Sequence, residues 1–244
     1  MRGLGTLVNL VAVAAGGLAG VVVGARLRTD MRHTIMQGLG LVTLAVAIVG
    51  LEPLFDPSAG LRRFIVMIAA VITGGVVGEA LHLDARLEHV GERLRRSFRV
   101  PDDDSSRSRA RFVEGFVVAS TVFCVGPLTV LGAIEDGLGD GIRLLAIKSA
   151  LDGVAAVGFA SVYGLGVLGS LVTIAVYQGG VTLAAALIAP LMTAEVLAQL
   201  GAVGSLLVMG IGMRLPEIAR VRVVNLLPAL VTGPLLAAAV DAFA

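Results

Sequence analysis

GTLVNLVAVAAGGLAGVVVG, residues 5–24, carries no charged side chain from end to end. As a helix, rising about 1.5 Å per residue, such a run reaches roughly 30 Å, the hydrocarbon thickness of a bilayer. Backbone groups in hydrocarbon must find their partners within the chain, which leaves only helices and closed barrels. The apolar residues here are continuous and not alternating, so a barrel strand is excluded. The run exceeds the apolar core of a signal peptide and has only Arg2 before it. It reads as a retained first span.

The same pattern recurs outward from this segment. FVVASTVFCV (116–125) is also uncharged, and the chain as a whole is 57% hydrophobic and 15% charged, with a mean hydropathy of +0.93. Soluble domains carry about a quarter charged residues. The expectation is an all-α polytopic transmembrane helical bundle, a single integral membrane domain over 1–244. Apolar runs between charged breaks place spans at 3–25, 35–51, 64–82, 112–134, 144–163, 165–192, 197–213 and 223–241. That is eight crossings, the sixth being longer than a bilayer requires.

Arginine distribution orients them. Stretches 26–34, 83–111 and 214–222 are Arg-rich, whereas the loops around Glu52/Asp56 and Glu135–Asp140 are acidic or mixed. Short basic loops stay cytoplasmic, so eight spans put all three basic stretches inside and both termini outside. Within 83–111, between 1–82 and 112–244, Leu87, Val90, Leu94 and Phe98 share one face of DARLEHVGERLRRSF (84–98). This predicts an amphipathic helix on the cytoplasmic membrane surface, with arginines toward anionic lipid. RVPDDDSSRSRAR (99–111) has no periodicity and is read as a flexible linker.

Glycines stand at contact spacing: Gly16, Gly17, Gly20 and Gly24; Gly74, Gly75 and Gly78; Gly201, Gly204, Gly210 and Gly212. Small residues at these intervals bring helices together in lipid, and they also suit a homo-oligomer. Runs of small residues ending in Arg-Leu recur in spans one and seven, a similarity too short to establish a repeat.

Polar residues inside the spans are the candidates for function, because each costs a few kcal/mol to insert. Glu79, Glu114 and Glu195 lie near span ends, where reaching the interface accounts for them. Lys148 and Asp152 are one turn apart on one helix face, spaced for an ion pair. Lys148 is the only lysine beside eighteen arginines, which favours a compact ammonium over a planar guanidinium at that point. The plain alternative is a self-neutralising pair that locks two spans. Glu135 and Asp136 close span four; neighbouring carboxylates repel, which suits sharing a proton or holding a cation, or simply an acidic turn in water. Gly126-Pro127 should break span four. Gln178-Gly179-Gly180 interrupts span six and predicts a second broken helix. Free backbone groups at helix breaks are a transporter device for binding ions near the midplane.

GFVVASTVFCVGPLTVLGAIEDGL (115–138), KSALDG (148–153) and YQGG (177–180) together resemble the signature segments of the YqgA/YdfK-like family of bacterial inner-membrane proteins, a family of unknown function. The resemblance extends over essentially the whole chain, except the 99–111 linker. It implies a bacterial cytoplasmic membrane protein and supplies no substrate.

Two functions compete on these residues. One is a transporter or channel for a small polar or ionic solute, binding at Glu135, Asp136, Lys148, Asp152 and Gln178 between helix breaks at Gly126, Pro127, Gly179 and Gly180. The other is a non-transporting scaffold or signalling component acting through the Arg-rich loop. No HExxH or GxSxG motif occurs, and Lys148 and Ser149 diverge on a helix, so an enzyme is not expected. Cys124 is the single cysteine and the three histidines show no ligand spacing. No metal, cofactor or nucleic-acid partner is expected; the lipid bilayer is.

Overall fold

The computed structural model describes residues 2–97, 106–216, 218–219 and 221–243. Among them there is no strand. The helices are α1 (Leu4–Gly24), α2 (Thr29–Gly50), α3 (Gly60–Ala80), α4 (Leu83–Ser97), α5 (Ser106–Cys124), α6 (Pro127–Leu138), α7 (Arg143–Tyr163), α8 (Gly166–Leu183), α9 (Ala185–Ile188), α10 (Ala194–Arg214), α11 (Val223–Leu226) and α12 (Ala229–Phe243). Seven spans are long and apolar enough to cross a membrane, and an eighth follows if the bent α5–α6 pair counts as one. The polytopic all-α bundle expected from hydropathy is what the chain forms.

In α1 the buried face is not the greasy one. It comprises Gly5, Thr6, Asn9, Val13, Gly16, Gly17, Gly20 and Gly24, while Leu7, Val11, Leu18 and Val22 are exposed. With lipid as solvent, large apolar side chains gain nothing by turning inward, whereas small ones let backbones touch. Inside and outside are thereby exchanged relative to a water-soluble helix.

The chain divides into two compact units, Met1–Leu39 with Arg86–Cys124 and Leu128–Ile188, and Gly40–Ala85 with Val125–Pro127 and Ala189–Ala244. In the first unit, Gly16, Gly20 and Gly24 of α1 lie against the carbonyls of Gly153, Val157 and Ser161 of α7. Both sets advance by four, so the two helices run parallel. Gly166 and Gly169 of α8 lie against Phe112 and Phe116 of α5, and Ser120 Oγ is 3.0 Å from Thr173 Oγ1. Those helices are parallel too. Gly137 of α6 then meets the Thr182 carbonyl at the far end of α8. The α5–α6 pair therefore follows α8 along its whole length, and despite a bend of 63° it leaves on the opposite side. Counted as one span, it brings the number of candidate spans to eight.

The bend falls where Gly126-Pro127 requires it. Gly126 has φ 131°, a region closed to other residues, and Pro127 opens α6, where its missing N–H costs nothing. The second expected break is not found: α8 is continuous through Gln178, Gly179 and Gly180 and ends only at Leu183. Nothing lies within 4 Å of a Cβ built on either glycine. In hydrocarbon, no water competes for the exposed backbone of a Gly-Gly pair, so the helix persists. An interruption that hydropathy did not flag separates α11 from α12 at Leu227-Pro228.

In the second unit, Gly74 and Gly78 of α3 lie against Ala229 and Asn225, an antiparallel register with α11–α12. Arg63 Nη2 is 2.8 Å from Glu195 Oε2 and Arg62 Nη1 is 2.9 Å from Asp241 Oδ1. Glu79 accepts from Arg222 Nη1 at 2.8 Å and from Asn225 Nδ2 at 2.6 Å. Glu79 and Glu195 are thus tied at span ends. Between α2 and α3, hydrogen bonds from the Ser58 hydroxyl and amide hold the Asp56 carboxyl below the usual carboxylate range.

The amphipathic helix forms as α4, starting one residue earlier than expected and described as far as Ser97. Arg86, Arg93 and Arg96 are exposed, but Arg95 is buried and bonds Glu92 at 3.1 Å. Gly91 approaches Phe116, so α4 rests on α5, and an arginine on that line must turn inward. Phe98 and positions 99–105 of the linker lie outside the described residues; 106–111 belong to α5 and not to a linker.

Candidate functional site

Four helices of the first unit bring polar side chains to one place. From α7 come Lys148 and Asp152, 5% and 8% exposed, from α6 Asp136 at 1%, from α8 Gln178 at 0%, and from α1 Asn9 at 0%. Lys148 Nζ donates to Asp152 Oδ2. Asn9 Nδ2 donates to the same Oδ2 at 3.2 Å and to Gln178 Oε1 at 2.9 Å. Gln178 Nε2 donates to Thr6 Oγ1 at 3.2 Å, which also lies 3.0 Å from Thr182 Oγ1. The Thr6 backbone N–H reaches Asp136 Oδ2 at 3.1 Å. One connected network thus runs from the ammonium to Asp136.

Glycine makes this possible. Asn9 and Thr6 share the buried face of α1 with Gly5 and Gly16, and a Cβ on Gly5 would sit 3.2 Å from Asp136 Cγ. A side chain here would press on Asp136 and, more closely, on Leu145 of α7, whose Cδ1 would lie 2.7 Å away. Similarly, Gly153 follows Asp152 at the α1–α7 contact, which holds that face of α7 against Asn9.

The network is not fully satisfied. Asn9 Oδ1 and Asp136 Oδ1 are buried and accept no hydrogen bond. Two carboxylates against one ammonium also leave a formal excess of one negative charge. A buried polar group without a partner costs about 1–3 kcal/mol, and excess charge in low dielectric costs more. Structural glue between helices would have both defects removed.

Of the expected site residues, Asp136, Lys148, Asp152 and Gln178 come together. Glu135 does not: one position along a helix turns a side chain by 100°. Its carboxylate instead caps α7, accepting from the Leu144 N–H at 3.4 Å. Asp140, beyond the end of α6, is exposed. Gly179 and Gly180, assigned to a helix break, lie in an intact helix.

Asn9, Thr6 and Thr182 were missed by reading the sequence. Asn9 left a trace: it is one of two asparagines in the chain and lies in an uncharged run, four residues after Gly5 and seven before Gly16. The threonines left none, because a membrane threonine commonly bonds its own helix, as Thr121 does with the Val117 carbonyl at 2.8 Å.

No solved structure matches this chain. It is 30% identical over 236 residues to the uncharacterized protein YqgA of Escherichia coli (strain K12), covering 97% of each chain. It is 25% identical over 239 residues to the uncharacterized membrane protein YdfK of Bacillus subtilis (strain 168), covering 98% of this chain and 97% of that one. The model of the protein of unknown function family DUF554 matches residues 4–238, a stretch that contains every helix contributing to the polar network. The bundle and its buried charges are therefore those of a member of the DUF554 family.

Proposed function

We propose that this protein is a transporter for a small polar or ionic solute, which engages the network of Asn9, Asp136, Lys148, Asp152 and Gln178. The observation that carries the reading is the incomplete satisfaction of that network. It holds two buried acceptors without donors and a surplus carboxylate, inside the apolar part of a bundle where neither contributes to stability. The kink at Gly126-Pro127, ten residues before Asp136, supplies a hinge for alternating exposure of the site. The membrane is the bacterial cytoplasmic membrane, with the Arg-rich stretches inside and both termini outside.

Purified full-length protein in liposomes tests this. Wild type is expected to move one member of a panel of ions and small polar solutes, and Lys148→Met and Asp152→Asn to lose that flux at least tenfold. No flux of any panel solute in wild type, or unchanged flux in both variants, overturns the proposal. The exposed arginines of α4 favour one competing role, a scaffold bound to anionic lipid or to a partner. In that case deletion of 84–97 abolishes the cellular phenotype, while Lys148→Met lowers only protein abundance.

A further inference from the structure

We infer that Asp136 and Asn9, backed by the hydroxyls of Thr6 and Thr182, form a binding site for a dehydrated monovalent inorganic cation. The inference takes its place from the network proposed above as the solute site, but it requires no turnover. It starts from what the network offers. Both amide hydrogens of Asn9 are committed, one to Asp152 and one to Gln178, so its carbonyl oxygen is an acceptor with nothing to accept. Asp136 is in the same condition: Oδ2 takes the Thr6 N–H and Oδ1 has no partner. The Gln178 amide and the Lys148 ammonium already donate into the network. The surplus carboxylate gives the site a net negative charge that opposes an incoming anion, although Lys148 and Gln178 keep further N–H hydrogens. The ligand has to bring positive charge or donors.

Charge separates the remaining candidates. Water can donate to an orphaned oxygen, yet it brings no charge to the Asp136 carboxylate, which is 1% exposed, and an uncompensated buried carboxylate is penalised heavily. A divalent ion overshoots the balance, and no group of three or more His, Cys, Asp or Glu side chains suited to a metal occurs among the described residues. A monovalent cation neutralises the site. Carboxylate, amide carbonyl and hydroxyl oxygens are the hard donors that alkali ions take. They are assembled by three helices: Thr6 and Asn9 from α1, Asp136 from α6 and Thr182 from α8. Lys148 then has a defined part. It neutralises Asp152 and thereby sets the site at a single negative charge, which selects the valence of the ion.

Thermal unfolding of the full-length protein in detergent tests the site, at constant pH and ionic strength, with choline chloride replaced stepwise by lithium, sodium or potassium chloride. A ligand that binds only the folded state raises Tm in a concentration-dependent way. We expect at least one alkali ion to raise the wild-type Tm by several °C. In Asp136→Asn, which keeps shape and removes the charge, the shift should vanish, and in Asn9→Ala it should weaken at least tenfold in apparent affinity. A wild-type Tm that is the same in all four salts overturns the inference without recourse to any variant. An Asp136→Asn protein that responds as wild type does so as well. Alkali binding without flux leaves this site standing while the transport proposal fails. Flux without any alkali response has the reverse meaning.

Discussion

Lys148 and Asp152 illustrate what a buried pair can and cannot contribute. Taking two ions out of water costs several kcal/mol each, and their mutual attraction roughly repays it when other hydrogen bonds complete the geometry. Asn9 provides that completion by donating to Asp152 Oδ2. Removing one partner is the damaging change. Lys148→Met should lower the unfolding free energy by about 3–5 kcal/mol, because Asp152 is left buried without its ammonium partner. The double variant Lys148→Met/Asp152→Leu should recover most of that loss and remain inactive in liposomes. Denaturant unfolding of the reconstituted variants measures both. A double variant as unstable as the single one would mean that the pair is worth its desolvation. Asn9→Leu leaves Asp152 and Gln178 each short of a partner and should cost about 2–4 kcal/mol by the same assay.

At the scale of elements, glycines act as contact surfaces and not as weak points. Gly20 of α1 faces the Val157 carbonyl and the Ala160 methyl, and Gly24 faces the Ser161 backbone. No side chain fits, so Gly20→Leu should prevent α1 from seating on α7 and remove folded protein from the membrane fraction. Gly179 and Gly180 have open space around them. Alanine at either should leave Tm unchanged or raise it slightly, because an open helical Gly→Ala change gains up to about 1 kcal/mol. Gly126→Ala is different again. Its φ of 131° suits only glycine, and the substitution should cost about 1–3 kcal/mol. Thermal melts of these variants rank the three kinds of glycine. Gly16, Gly20 and Gly24 are filled by α7, and Gly74 and Gly78 by the α11–α12 segment.

For the whole molecule, the decisive relation is direction. The parallel registers of α5 with α8 and of α1 with α7 follow from an α5–α6 pair that crosses once, and they fail if the pair turns back. Reporter fusions after residues 82 and 218 should therefore report the cytoplasm, and fusions after 139 and 188 the outside. A fusion at 139 on the same side as one at 82 would contradict the eight-span path. The charge of the connecting loops agrees with this arrangement, since Arg26, Arg28, Arg32, Arg214 and Arg222 all follow or precede span ends on one side.

Fold class, span positions, the break at Gly126-Pro127, the amphipathic helix over 84–97 and the pairing of Lys148 with Asp152 were all present in the order of residues. Each depends on neighbours within one or two helical turns, or on how long a segment avoids charge. Tertiary structure alone decided which faces meet. It joined Asn9 to residues 143 and 169 positions away, turned Asp136 inward and Glu135 onto a helix end, and kept α8 whole where Gly-Gly suggested a break. The reason is that lipid does not sort side chains by hydrophobicity as water does. The inner face of a membrane helix is chosen by fit against its partners, and that information resides in the assembled bundle.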